Sequence, residues 1–239
     1  MPDVDLQTLW PMIISGGFVV GFLVGLTGVG AGSLMTPFLI TKIGISPALA
    51  VGTDLLFASI TKASAAWPHH NFGNVNWRLV AWLAAGSVPG SLAMLAILHV
   101  LDPDTARLAA LIKHALIAAL VISSLAIIFY PLITRRGAQV VEPTDVPVRH
   151  LSTLLLGLCL GSIVTLTSVG AGAILTLVSG LGHMSIGNTS FELLGLLLVG
   201  SIPGIAIGSR LTGRLPDWLL RLFLATILCF AAYQLAQKL

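Results

Sequence analysis

Between Leu9 and Leu26 the chain carries no charged side chain, and runs nearly as apolar recur at 77–100, 105–130, 191–211 and 218–236. At 1.5 Å of rise per residue each is long enough for a helix to cross roughly 30 Å of hydrocarbon, allowing for some thinning. None shows the period-2 alternation of a membrane barrel strand. The fold class that follows is all-α: a polytopic membrane helix bundle of about seven full spans. Composition agrees, since 56% of the 239 residues are hydrophobic and 9% are charged, against about 25% charged in soluble domains. The formal net charge of +3 is accounted for by membrane topology. The lipid bilayer is therefore an expected partner and nucleic acid is not. Asp3 and Asp5 precede the first run without a Lys or Arg, unlike the basic start of a cleaved signal peptide. Cys159 and Cys229 each sit alone in an apolar run, which excludes a CxxC metal site and predicts two small core residues.

Two of the apolar runs are interrupted in the same way. Thr27-Gly28-Val29-Gly30-Ala31-Gly32-Ser33-Leu34-Met35-Thr36 returns as Thr167-Ser168-Val169-Gly170-Ala171-Gly172-Ala173-Ile174-Leu175-Thr176, with six of ten positions identical. Glycines at such a density let the backbone leave the helix and expose its own N–H and C=O groups. The segment after the first copy, Val29 to Thr41, contains Pro37 and is too short for a span, so a half-helix or re-entrant segment is expected. The piece 171–181 reads as re-entrant too, because Arg210, Arg214 and Arg221 put the last loop on the same side as the arginines of the preceding polar stretch only if 151–211 crosses twice.

The repetition extends further, in a shifted register. The glycine stretches align with an offset of 140 (Thr27 to Thr167), whereas Gly86-Ser87-Val88-Pro89-Gly90 aligns with Gly200-Ser201-Ile202-Pro203-Gly204 at an offset of 114. The second half is thus 26 residues shorter, the deficit falling on the counterpart of Pro37 to Lys62. We divide the chain into a first transmembrane repeat, 1–130, a polar linker, 131–150, and a shortened second repeat, 151–239. Related halves enclosing a midplane site built from interrupted helices are the architecture of secondary transporters. Arg135, Arg136 and Arg149 place the linker in the cytoplasm, and Pro89 and Pro203 are expected to kink equivalent helices.

In the first half, G-x-T-G-V-G-A-G-S followed by a proline, then Ala50-Val51-Gly52-Thr53-Asp54-Leu55-Leu56, then Gly73-Asn74-Val75-Asn76-Trp77, then Gly86 to Gly90, together resemble the TauE/SafE group of sulfite and organosulfonate exporters. The resemblance covers nearly the whole chain. It implies an inner-membrane, multi-pass permease of bacterial type that moves small sulfur-containing anions outward, with a glycine-rich break in each half. Ala50 to Asp54 has no partner in the second half, a departure from the symmetric pattern.

The residues allow a chemical reading beside that resemblance. A helix restarting after a break presents free N–H groups and a positive dipole end, which suits an oxyanion. Thr27, Gly30, Gly32, Ser33, Lys62, Thr167, Gly170 and Gly172 are the candidate substrate-binding residues. The plainer alternative for each glycine is close helix packing. Lys62 either attracts the substrate or snorkels to the interface. Asp54 either relays a proton or stabilises a helix start after Gly52-Thr53. Asp54, Lys113, His114 and Glu192 are the coupling or gating candidates. His69, His70 and His183 fall at equivalent turns and read as interfacial polar residues; no HExxH or CxxC spacing supports a metal, and no cofactor is expected.

The function expected is export of a small anion by alternating access, with a coupled proton or other ion as a further partner and with homo-oligomerisation compatible with it. A passive anion channel of the same shape is the alternative. An intramembrane enzyme using Ser33 or Ser168 with a histidine is weaker, because no motif sets a nucleophile beside a base.

Overall fold

The computed structural model describes residues 6–27, 32–70, 77–100, 106–134, 150–169, 173–211 and 216–237. These form nine α-helices and no strand: α1 (Leu6–Thr27), α2 (Gly32–Phe38), α3 (Pro47–His70), α4 (Trp77–Val100), α5 (Ala106–Thr134), α6 (His150–Thr167), α7 (Ala173–Ser185), α8 (Phe191–Leu211) and α9 (Asp217–Ala236). The linker residues 135–149 lie outside the described residues.

Six of these helices are long and apolar enough to cross a membrane: Thr8–Thr27, Arg78–Val100, Ala106–Phe129, His150–Thr167, Phe191–Leu211 and Trp218–Ala236. The expectation was about seven. The seventh long helix, α3, matches them at 24 residues but carries Thr53, Asp54, Ser59, Thr61 and Lys62, and from Val51 to Ser59 every residue is buried. It lies in the middle of the bundle. At 7 residues, α2 is far too short to span. Pro37 within it cannot donate a main-chain hydrogen bond, and the helix loosens directly into a π-helical turn, Leu39–Ile43. Gly44, at φ 83, closes that turn by donating its N–H to the Leu39 carbonyl. A left-handed residue is what the ending requires, and glycine takes it without a Cβ penalty.

The most extensive helix contacts are α1 with α8 and α4 with α6, followed by α5 with α9 and α3 with α7. Small residues make the first two pairs possible. A Cβ on Gly17, Gly21 or Gly25 would stand 2.5 Å from the carbonyl oxygen of Leu197, Ser201 or Ile205 in turn, and Gly200, Gly204 and Gly208 abut the carbonyls of Ile14, Phe18 and Phe22. The partners ascend together, so α1 and α8 run parallel. The same is true of α4 and α6, where Gly86 and Gly90 meet the carbonyls of Leu154 and Leu158, and Gly157 and Gly161 meet those of Leu83 and Ser87. Close backbone approach of this kind replaces the hydrophobic drive that helices lack inside lipid. By contrast α3 and α7 run antiparallel: Gly52 packs on His183, while Leu56 packs on Gly180.

The bundle turns large apolar side chains outward, among them Leu92, Leu156, Ile202, Phe223 and Phe230. Such a surface fits hydrocarbon and would be a large exposed patch in water. Cys159 and Cys229 are also exposed, which corrects their expected place in the core. Lipid is as apolar as the interior, so a small apolar residue has no preference for one over the other. Pro89 and Pro203 lie on exposed faces within helices that continue past them.

Between α5 and α9 the buried Ser124 hydroxyl donates to the Ala225 carbonyl at 3.2 Å and lies 3.1 Å from the Cys229 sulfur. Ser124→Ala should lower stability by about 1 kcal/mol, the usual worth of one interhelical hydrogen bond. Thermal unfolding in detergent should show a midpoint about 2–4 °C lower, the shift such a loss gives in a domain of this size.

Candidate functional site

Asp54 lies two turns into α3 and is fully buried. It therefore does not stabilise the start of its helix, which begins at Pro47. Two hydroxyls reach its side chain, and each comes from one copy of the repeated glycine-rich stretch. Thr36 Oγ1 donates to Asp54 Oδ2 at 2.5 Å, and Ser168 Oγ donates to the same oxygen at 2.9 Å. The other oxygen, Oδ1, is buried without a hydrogen-bond partner among the described residues.

Ser168 holds this position through the way α6 ends. Its N–H still bonds the Val164 carbonyl at 2.7 Å, while its own φ of 59 is left-handed. Left-handed backbone costs a non-glycine residue about 1–2 kcal/mol, and the hydroxyl bond to Asp54 offsets that cost. Thr167 helps to fix the turn: its hydroxyl donates to the Ile163 carbonyl at 2.8 Å and accepts the Val169 N–H at 3.2 Å. At the end of α1, Thr27 Oγ1 donates to the Leu23 carbonyl at 2.7 Å in the same way.

The two stretches touch at Gly32. A Cβ there would run into the Ser168 carbonyl oxygen and stand 2.8 Å from both the carbonyl carbon and Oγ. Ser33 follows, buried. Gly30, Gly170 and Gly172 lie outside the described residues. Lys62 is half-buried, eight residues beyond Asp54 on the same helix, about 12 Å along its axis.

On another face of α3, Gly52 abuts the Asn188 carbonyl and lies 2.9 Å, at its would-be Cβ, from His183 Cβ. Thr53 Oγ1 accepts the Ser190 N–H at 3.1 Å. His183 is fully buried, with Nε2 2.9 Å from the Thr165 carbonyl. That carbonyl can only accept, so Nε2 carries the proton and Nδ1 is left as an acceptor. The expected interfacial place of His183 is thus corrected to the interior. The side chains of His69 and His70 lie outside the described residues. Beyond Thr165, a line of hydroxyls joins α6, α7 and α4: Thr165 Oγ1 is 2.9 Å from Ser179 Oγ, which donates to Ser91 Oγ at 3.1 Å.

The remaining candidates stand elsewhere. His114 is exposed on α5, with Nδ1 2.7 Å from the Ala110 carbonyl, and Lys113 beside it is half-buried. Glu192 is exposed in the first turn of α8. No group of three His, Cys, Asp or Glu side chains among the described residues could hold a metal ion. The residues that sequence reasoning missed are Thr36, Thr53 and Ser168, the last weighed only as a nucleophile. Thr36 had a visible signal, since the tenth position of the repeated stretch is threonine in both copies, and Thr176 is buried as Thr36 is.

A family model described as "Sulfite exporter TauE/SafE" matches residues 13–180 and 173–235. Among curated proteins, "Probable membrane transporter protein YjnA" of Bacillus subtilis (strain 168) is 34% identical over 254 residues, covering 93% of this chain and 98% of the relative. "Probable membrane transporter protein YunE" of the same organism is 36% identical over 74 residues, 31% of this chain and 27% of that one. "Probable membrane transporter protein MJ0441" of Methanocaldococcus jannaschii is 33% identical over 81 residues, 32% and 30% of the two chains. No solved structure matches.

Proposed function

The chain belongs to the sulfite exporter TauE/SafE family and is a multi-pass membrane transporter, and from that premise we propose that it exports a small sulfur-containing anion, sulfite or an organosulfonate, across a bacterial inner membrane by alternating access. The observation that carries the proposal is the meeting of the two glycine-rich stretches at Gly32 and Ser168, tied together by Asp54.

The arrangement of helices supports two inverted repeats. If α1 corresponds to α6 and α4 to α8, as the repeated motifs require, then the two parallel pairs, α1 with α8 and α4 with α6, exchange under one two-fold operation. The order then equates α7 with the combined α2 and α3, the place where the second half is shorter. An antiparallel crossing of α3 on α7 is what a two-fold axis in the membrane plane gives. Rocking of one such unit against the other is the motion that opens a central site to each side in turn.

Gly30, Gly32, Ser33, Gly170 and Gly172 are the residues whose backbone N–H groups would hold the anion, because an oxyanion in a low-dielectric site needs donors to replace its water. Lys62 draws the anion inward, and Lys62→Gln should lower flux about three- to tenfold without abolishing it, the worth of one charge interaction of about 1 kcal/mol at partial burial.

The test is efflux of labelled sulfite from proteoliposomes. Protein-dependent efflux that saturates with sulfite concentration and is competed by an organosulfonate is the expected result. Efflux no faster than from protein-free vesicles, with the protein shown to be inserted, would remove the proposal.

A further inference from the structure

We propose that Asp54 is the proton-binding residue of the transporter, and that a proton on Oδ1 is bound together with the anion and released with it. This rests on the export function proposed above, and the experiment below separates the two.

Both hydroxyls that reach the carboxyl group, Thr36 Oγ1 and Ser168 Oγ, converge on Oδ2. Oδ1 receives none among the described residues, and the residue is fully buried. An ionised carboxylate shares its charge between two oxygens, so the ionised form leaves half of it undressed in an apolar interior. A neutral carboxyl group suits the same geometry: Oδ2 is the carbonyl oxygen, which accepts two hydrogen bonds, and Oδ1 carries the proton. That O–H then lacks an acceptor. An oxyanion at the neighbouring junction of the glycine-rich stretches supplies one.

Charged groups on the surrounding elements leave this geometry in place. Lys62 is on α3 itself, two turns away. The elements packed on α3 bring His183 from α7, whose Nε2 is held by Thr165; Lys113 from α5, half-buried; and Lys42, Arg107, His114, His150, Glu192 and Arg210, all exposed. Lys62 attracts the ionised Asp54 carboxylate through space, while the side chains that hydrogen-bond Oδ2 are those of Thr36 and Ser168.

The balance of the step is simple. One proton passes from the cytoplasmic solution to Oδ1 as one anion enters from the same side, and both leave on the other side. For a monoanion no net charge crosses. By reciprocal linkage, proton binding then raises anion affinity by the same factor as anion binding raises proton affinity.

The probe is methanesulfonate, whose own charge is constant near neutral pH. Above the titration of the carboxyl group, its dissociation constant with purified wild-type protein should rise about tenfold per pH unit, the signature of one linked proton. Efflux from proteoliposomes should be insensitive to an imposed membrane potential. Asp54→Asn keeps a donor and an acceptor in place and cannot ionise; it should bind methanesulfonate with no dependence on pH, and its efflux should become potential-dependent. Equal pH slopes in the wild type and Asp54→Asn would overturn the proposal, as would affinity that rises with pH or that follows sodium concentration instead. If Asp54→Asn fails to fold, the infrared carbonyl stretch of a buried protonated carboxyl group, read with methanesulfonate bound and assigned by its shift in labelled aspartate, decides the matter: its absence overturns the proposal. That band present in a protein that moves no sulfonate would leave the proton site standing and remove the export function.

Discussion

Gly32→Val should abolish transport, with flux at least about tenfold below wild type, because the added atoms meet main chain that has nowhere to go. The Cβ alone would lie 2.8 Å from the Ser168 carbonyl carbon and nearer still to its oxygen. A flexible side chain in that place could rotate away. Here the start of α2 has to withdraw from the end of α6, and Thr36, one turn further on, withdraws from Asp54 with it. Overpacking of this kind costs about 1–3 kcal/mol, so the protein should still insert and give a unimodal gel-filtration peak with a lowered thermal midpoint. Gly195→Ala is the matched control. No atom lies within 4 Å of a Cβ at Gly195, which sits exposed in α8, and alanine there should raise stability by about 0.5–1 kcal/mol through helix propensity. Equal flux from Gly32→Val and wild type would show that the contact is incidental to transport.

Removing both hydroxyls from Asp54 should destabilise the protein by more than the two single changes together. Thr36→Val or Ser168→Ala alone leaves Oδ2 with one hydroxyl donor, and each should cost about 1–2 kcal/mol. The double variant leaves a fully buried carboxyl group with neither hydroxyl, at about 3–5 kcal/mol, the cost of stripping side-chain partners from a buried polar group that can ionise. The excess, read from thermal or chemical unfolding of the four proteins in one detergent, measures the coupling. Strict additivity would mean that the hydroxyls do not share the carboxyl group as a common partner. Ser168→Gly sorts strain from bonding: it loses the same hydroxyl as Ser168→Ala but relieves the left-handed backbone, and should be the more stable of the two by about 1 kcal/mol.

The membrane bundle was legible in the sequence because an uncharged run such as Leu9 to Leu26 has few other fates. The glycine-rich stretches were legible as a pair because they repeat. Their point of contact was not. Ser168 and Asp54 are 114 residues apart, and no periodicity in either segment records the meeting. Facing was equally hidden: in lipid, apolar character does not distinguish the interior from the outer surface, so Cys159 and Cys229 were assigned to the wrong side. His183 was misplaced for the opposite reason. A polar residue near a turn resembles an interfacial one, and only the Thr165 carbonyl opposite Nε2 explains why it is interior.

The glycine-lined pairs also set a schedule for synthesis. α1 emerges from the ribosome with Gly17, Gly21 and Gly25 ready for a partner that does not exist until α8, some 180 residues later, has been made. α4 waits in the same way for α6. During elongation the first helices therefore enter the bilayer with open backbone grooves, and any other helix with small residues can occupy them. Long-range closure of this kind is slow to form. A chain truncated before α8 is left with α1 unpaired, a substrate for membrane quality control rather than a smaller transporter.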